Sequence, residues 1–407
     1  MQILMALVGA GTVLALALAL SRNRAAINWR TVGIALLLQL GIAAFVMLLP
    51  VGQVLLNGLV GAVQNVINYG DEGIRFVFGD FIRDQIGFTV AFQVLPVIIF
   101  FSCLMSTLYY LGIMQRVVQI FGGALHLLLG TSRTESMSAA ANVFVGHTEA
   151  PLVVKPYLAT MSESQLFAVM TGGCATIAGA VMAGYAAMGV DLKYLLTASF
   201  MAAPGGLLMA KIIMPETEDL HEDVLHGDVE EEERAVNVFE AMGNGALIGI
   251  QLALNIGAML IAFVAMIALL NGIIGGVAGL AGFEGITLQW ILGKVFAPLA
   301  FMLGVPWAEA NAAGTLIGTK LVINEFIAYL DYVRIQDELS MRSQAIVTFA
   351  LCGFANLSSI AMLLGGLGSI VPARRKDIAR LGLLAVLAGM LSNLMSAVLA
   401  GLFVGGA

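Results

Sequence analysis

The chain has 407 residues, 60% of them hydrophobic and 11% charged, with a formal net charge of −7 and a mean hydropathy of +0.96. A water-soluble domain carries about 25% charged residues, so this composition excludes one, whereas a bilayer asks for no polar coat. The stretch Glu216 to Glu240 holds eleven acids and one base, Arg234; the rest of the chain nets +3 and has no basic stripe of the kind nucleic acid requires.

About 20 mostly apolar residues make one membrane crossing. The first such run, 1–20, comes before its positive charges, Arg22, Arg24 and Arg30. A cleavable leader has the reverse order, so a retained spanning helix is predicted, N-terminus outside and loop 21–30 in the cytoplasm. Further spans are predicted at 31–50, 88–111, 165–188, 192–214, 243–271, 345–370 and 378–403, eight in all. Segment 51–86 mixes apolar positions with Asn57, Gln64, Asn65, Asp71, Arg75 and Asp80 and reads as an interfacial helix followed by a short outer element. Lys211 beside the acidic loop 215–242, and Arg374, Arg375 and Lys376 in a second loop, fall on the cytoplasmic side of this count. The C-terminus then lies outside.

Two stretches, 131–162 and 305–342, are too polar for simple spans and rich in small residues. They resemble each other. LLLGTSRTESMSAAA in the first and FMLGVPWAEANAAG in the second each lead to a glutamate, 19 residues from Gly130 to Glu149 and 21 from Gly304 to Glu325. MTGGCATIAG at 170–179 then answers FALCGFANLSSI at 349–360, each a polar, glycine-bearing interruption of an apolar run. Helix, hairpin with glutamate, broken helix and closing helix thus occur twice, entering from opposite faces. This pattern is the inverted repeat of secondary carriers, whose site lies between broken helices near the bilayer midplane.

A carboxylate at membrane depth costs at least about 2.5 kcal/mol. Glu149 in GHTEAP and Glu325 in VINEFIAY stand at equivalent places in the two repeats. Each is a candidate acceptor for paired hydroxyls or an N–H edge of a polar solute, or else a structural partner of Lys155 or Lys320. His147 and Thr148 adjoin the first; Asn356 and Ser359, with Phe354 beside them, lie in the second break. Phe354 suits either a planar ligand ring or the core. Asn142, Thr176 and the carbonyls of Gly172–Ile177 offer neutral oxygens of the kind monovalent cations take, or bonds that satisfy the break locally. Cys103, Cys174 and Cys352 lack metal or disulfide spacing. His126 reads as a packing residue, and His221 and His226 as solvated members of the acidic loop. No HExxH, GxSxG or triad order marks an enzyme. Two unlike half-sites in one chain fit a carrier better than a channel ringed by one repeated motif.

GHTEAPLVVKPY, GTKLVINEFIAY and CGFANLSSIAML resemble the three signature stretches of the concentrative nucleoside transporters, and the likeness covers nearly everything after residue 90. The resemblance implies an all-α polytopic membrane protein of the eight-span prokaryotic type, with two re-entrant hairpins, three interfacial helices and a homotrimer. It implies sodium-coupled nucleoside import, uridine being one such substrate, at a bacterial plasma membrane by an elevator movement. Proton coupling or another small polar solute is the alternative. The implied division is a scaffold at 1–111 and 243–285 and a transport domain at 112–214 and 286–407, with hairpins 131–162 and 305–342. The base would be read by His147, Thr148 and Glu149 with Val181 alongside; the ribose by Glu325, Asn356 and Ser359 with Phe354 flanking. Sodium would sit at Asn142, Thr176 and carbonyls near Thr171 and Ile177. The family usually has Gln where this chain has His147, and imidazole presents its donor and acceptor on opposite edges, so base preference stays open.

Overall fold

A computed structural model describes residues 2–79, 89–218, 235–280 and 282–404. Asp80, His221 and His226 lie outside them. The described residues contain helices and loops and no strand.

The first half begins with α1 (Gln2–Leu20) and α2 (Trp29–Leu48), the latter capped by Asn28, whose side chain accepts from the Arg30 and Thr31 amides. Helix α3 (Pro50–Phe78) follows with proline at its first turn, where a missing amide costs nothing. It is one continuous helix, long enough to count as a span by length and composition, and carries Asn57, Gln64, Asn65, Asp71 and Arg75 of the polar residues that mark 51–86 as interfacial; the short outer element expected after it falls largely outside the described residues. A π turn at Val90–Val94 leads into α4 (Leu95–Tyr110). Gly112, in the left-handed region at φ 74°, turns the chain into α5 (Ile113–Leu129), which ends at a second left-handed glycine, Gly130.

The hairpin expected at 131–162 is built of unlike limbs. Its entering limb is α6 (Arg133–Ala141), opened by a capping box between Ser132 and Glu135. The returning limb, Ala150–Tyr157, is a 3₁₀ helix with a kink at Val154. Pro156, inside the limb, supplies the reason, because it removes an amide that an α-helix would need. The span expected at 165–188 is broken as anticipated, into α7 (Glu163–Ala175) and α8 (Gly179–Ala187). Helix α9 (Leu192–Ile213) closes the half. At its end Lys211 pairs with buried Glu135 of α6 and donates to Ser164 of α7, 2.9 Å.

The second half opens with α10 (Val238–Leu280), 43 residues long and well beyond the expected 243–271. Its buried positions Ala241, Gly245, Gly249 and Ala253 recur every fourth residue. This small-residue seam lets helix backbones meet at membrane depth. It packs on α4: a β-carbon on Gly249 would fall 2.6 Å from Ile99 Cα, and one on Gly245 2.7 Å from Cys103 Cα. Helix α11 (Leu288–Met302) then bends by 117° into α12 (Trp307–Val322). With α13 (Glu325–Ile335), α12 forms the second hairpin, whose limbs are both α-helical. The span expected at 345–370 is α14 (Met341–Leu351), an unwound stretch, then α15 (Ser359–Gly365) and α16 (Leu367–Ile370). Helix α17 (Arg375–Phe403) ends the fold.

The core gathers around α7, α9 and α17, which pack on one another and are almost wholly buried. Helices α1 and α2 lie along α9 and α17, where buried Gln39 donates to the Met201 carbonyl (3.2 Å) and to Ser396 (3.1 Å). Helix α10 is mostly exposed along its length.

Candidate functional site

The two breaks meet. The Phe354 amide in the second donates to the Thr176 carbonyl in the first, 3.1 Å, so each unwound strand satisfies part of the other's exposed backbone. The hairpin tips arrive at this crossing. In the second hairpin Asn324 caps α13, accepting from the Ile327 amide at 2.9 Å. The cap places Glu325 in the first turn of α13, at the positive end of the helix dipole.

Glu325 is 6% exposed. The Tyr185 hydroxyl donates to its Oε1 at 3.0 Å and the Asn356 amide to its Oε2 at 2.7 Å. Asn356 Oδ1 in turn accepts from the Ser359 amide (3.0 Å), the Ser359 hydroxyl (3.1 Å) and the Ser358 hydroxyl (2.6 Å). The one Ser359 hydroxyl proton is shared with the Phe354 carbonyl. Tyr185 on α8 comes from the first repeat, so the second repeat's carboxylate is held across the repeat boundary. The residues alone did not single it out: in GAVMAGYAA its ring looks like core, and it does pack on Phe326 and Tyr329.

The first hairpin presents a different chemistry. His147 is 8% exposed, and neither ring nitrogen has a partner. Its ring stands edge-on to Phe354, centroids 5.0 Å apart at 70°. Thr148 is exposed and presses its methyl against Gly366, where a β-carbon would approach to 2.6 Å. Glu149 is half-buried on a cleft of 2120 Å³ that also exposes Tyr109 of α4 and Ala178 and runs to Ala235 and Asn244, at the acidic end of α10. Val181 is buried on α8.

Below His147 lie the neutral oxygens. Asn142 is fully buried; its amide donates to the Ser138 carbonyl at 2.9 Å, leaving Oδ1 without a partner. The buried Thr171 hydroxyl also lacks one. Thr176 donates to the Gly172 carbonyl (3.0 Å), and buried Ile177 follows it in the break. Glycines make the approach possible: a β-carbon on Gly172 would lie 3.3 Å from the Asn142 amide, and one on Gly173 2.7 Å from His147 Cβ. Unpartnered buried oxygens at a helix end fit a desolvated monovalent cation.

His126 packs at the end of α5, its Nδ1–H donating to the Thr131 carbonyl at 2.6 Å. The three cysteines are free, and no cluster of three His, Cys, Asp or Glu suited to a metal occurs among the described residues.

Two broken helices joined back to back, each fed by the hairpin of its own repeat, define a secondary carrier of the inverted-repeat class. Family models described as Na+ dependent nucleoside transporter C-terminus and N-terminus match residues 194–401 and 8–81, and one described as nucleoside recognition matches 91–191. The nucleoside permease NupC of Helicobacter pylori is 52% identical over 99% of this chain and 98% of its own. Sodium/nucleoside cotransporter 1 of Rattus norvegicus is 38% identical over 98% of this chain and 63% of its own. The transporter CNTnw, solved in an inward-facing substrate-bound state, superposes with a TM-score of 0.96 at 52% identity over 100% of this chain and 99% of its own. An outward-facing variant of CNTnw gives 0.97, also at 52%, over the whole of both chains. The chain belongs to the concentrative nucleoside transporter family. It is a multi-pass membrane protein, and its relatives are permeases and cotransporters rather than enzymes.

Proposed function

We propose that this protein imports nucleosides such as uridine across a bacterial plasma membrane in symport with sodium. The observation that carries the proposal is the Glu325 cluster, a carboxylate whose two oxygens are fixed by Tyr185 and Asn356, together with the edge-on rings of His147 and Phe354. Fixed paired acceptors suit the vicinal hydroxyls of a ribose, and ring edges and faces suit a planar base. Glu325, Asn356 and Ser359 hold the sugar with Phe354 flanking. His147, Thr148 and Glu149 read the base with Val181 alongside. The unpartnered Asn142 Oδ1 and Thr171 hydroxyl, with Thr176 and the carbonyls near Thr171 and Ile177, take the sodium.

Access alternates by an elevator movement in which both hairpins and both broken helices travel as one body past a frame centred on α4 and α10. Helices α1 and α2, which the sequence reading assigns to that frame, line the seam with the travelling body. The working unit is a homotrimer, and both termini face away from the cytoplasm.

Uptake of radiolabelled uridine by proteoliposomes, with sodium and proton gradients imposed separately, tests the reading. Uptake is expected to follow sodium, and Asn142→Ala to raise the sodium concentration for half-maximal uptake about tenfold, the loss of roughly one charged hydrogen-bond equivalent. Uptake that ignores sodium and follows a proton gradient alone would move the coupling role to the carboxylates.

A further inference from the structure

Lys320, in the second hairpin, is fully buried. Its ammonium donates to the Ala350 carbonyl and to Asn393 Oδ1, each at 2.7 Å. Asn393, 2% exposed on α17, turns its own amide to the carbonyls of Ala175 (2.6 Å) and Cys352 (2.8 Å). Ala175 is the last residue of α7; Ala350 and Cys352 bracket the end of α14. These are carbonyls that lose their helical partners where a helix stops. The negative end of the α14 dipole thus meets the cation directly, and that of α7 is joined to it through Asn393. A lysine at membrane depth is costly unless partnered, and here the partners are a half-helix end, a ligand type that broken-helix carriers use for coupling ions, and the Asn393 side chain.

The packing leaves no slack. A β-carbon on Gly353 would come within 2.8 Å of the Ala175 carbonyl, and one on Gly389 of α17 within 2.6 Å of Cys174 Cβ. Ala175 adjoins Thr176 on the sodium side. Cys352 lies two residues before Phe354 and four before Asn356 on the ribose side. Beside the direct Phe354–Thr176 bond, a buried, bonded path therefore runs from the ion's break to the nucleoside's break through Asn393, whose amide oxygen Lys320 holds.

We propose that Lys320 and Asn393 are positioning residues that couple the cation to the nucleoside. They touch neither; they hold the two breaks as one unit, so that ordering of the first by sodium sets the second for ribose. The proposal rests on the sodium-coupled reading above, and such coupling is reciprocal.

The test uses purified full-length protein, with uridine affinity measured in choline chloride and in saturating sodium chloride at equal ionic strength. The ratio is the coupling factor, expected in the parent to lie within about 5- to 150-fold. Asn393→Ala leaves Lys320 on Ala350 but cuts the links to Ala175 and Cys352. The direct Phe354–Thr176 bond remains, so the variant's coupling factor is expected to fall about threefold or more, while uridine affinity without sodium stays within about threefold of the parent's. Sodium alone should still raise its melting temperature, showing the ion site intact. Lys320→Met is the second variant, with the same expectation; should it fail to fold, Asn393→Ala decides alone. An Asn393→Ala protein that weakens equally at both sodium levels, or that keeps the parent's factor, would overturn the link. Loss of the sodium-induced melting shift would also overturn it, making the pair a support of the ion site. A parent indifferent to sodium would instead overturn the sodium reading on which the link stands.

Discussion

Glu325 and Glu149 occupy matched places in their repeats, yet their surroundings differ. The first is enclosed and bonded on both oxygens, the second half-buried at the edge of an open cleft. That difference supports a division of labour. A charged hydrogen bond is worth about 1.5–3 kcal/mol, or roughly 10- to 150-fold in affinity. Deoxynucleosides lacking a contacted hydroxyl are therefore expected to compete less well by that order. Glu325→Gln should narrow the gap, and Glu149→Gln should alter selectivity among bases while leaving it intact. Tyr185→Phe, which frees one oxygen of Glu325, should weaken uridine binding about fivefold, one ordinary hydrogen bond. Competition binding with ribose and base analogues reads all three, and a Glu149→Gln protein that loses the hydroxyl preference would reverse the assignment. Glu325, Asn356 and Ser359 were legible because polar residues in apolar runs demand a reason. Asn393, in GMLSNLMSA, carried the same signal without a motif to attach it to. Tyr185 was hidden, since its ring satisfies the core and only tertiary contact shows where its hydroxyl goes.

At the scale of elements, both helix breaks were readable from Gly172, Gly173 and Gly353 beside polar neighbours. Their contact through Phe354 and Thr176 was not, because it joins residues far apart in the chain. The prolines of GHTEAPLVVKPY mark the returning limb of the first hairpin as irregular, but its 3₁₀ form depends on what it packs against. Helix α10 exceeded its expected length because hydropathy windows find a membrane's thickness, not a helix's ends. The glycine seam packs α4 closely on α10, and the first hairpin meets the second broken helix at Thr148 and Gly366. A disulfide joining cysteines at those two positions is expected to be tolerated in transport. A crosslink from either hairpin to α10 is expected to stop it. Measured uptake before and after oxidation separates the cases, and equal loss from both crosslinks would argue against a single travelling body.

Across the whole molecule, orientation rests on where the basic residues gather. Arg22 and Arg380 both pair with Glu163, and Arg374 donates to the Met161 carbonyl, 2.6 Å. Basic residues from the 21–30 loop and the start of α17 thus share one end of the fold, as a common cytoplasmic face requires. A cysteine placed within 216–240, in a background lacking the partly exposed Cys103, is expected to react with an impermeant maleimide only in inverted vesicles. Labelling of intact cells would invert the topology. The length of α10 carries a further consequence. Its 43 residues span about 65 Å at 1.5 Å per residue, against a hydrocarbon layer of about 30 Å. A helix so long must lean or project, and its accommodation changes with the thickness of the surrounding lipid. Helices α7 and α9, sheathed in protein, scarcely meet the acyl chains. On the elevator movement proposed above, bilayer thickness would act on this carrier through α10, tuning how far the hairpins and broken helices must go and leaving the pocket they carry untouched.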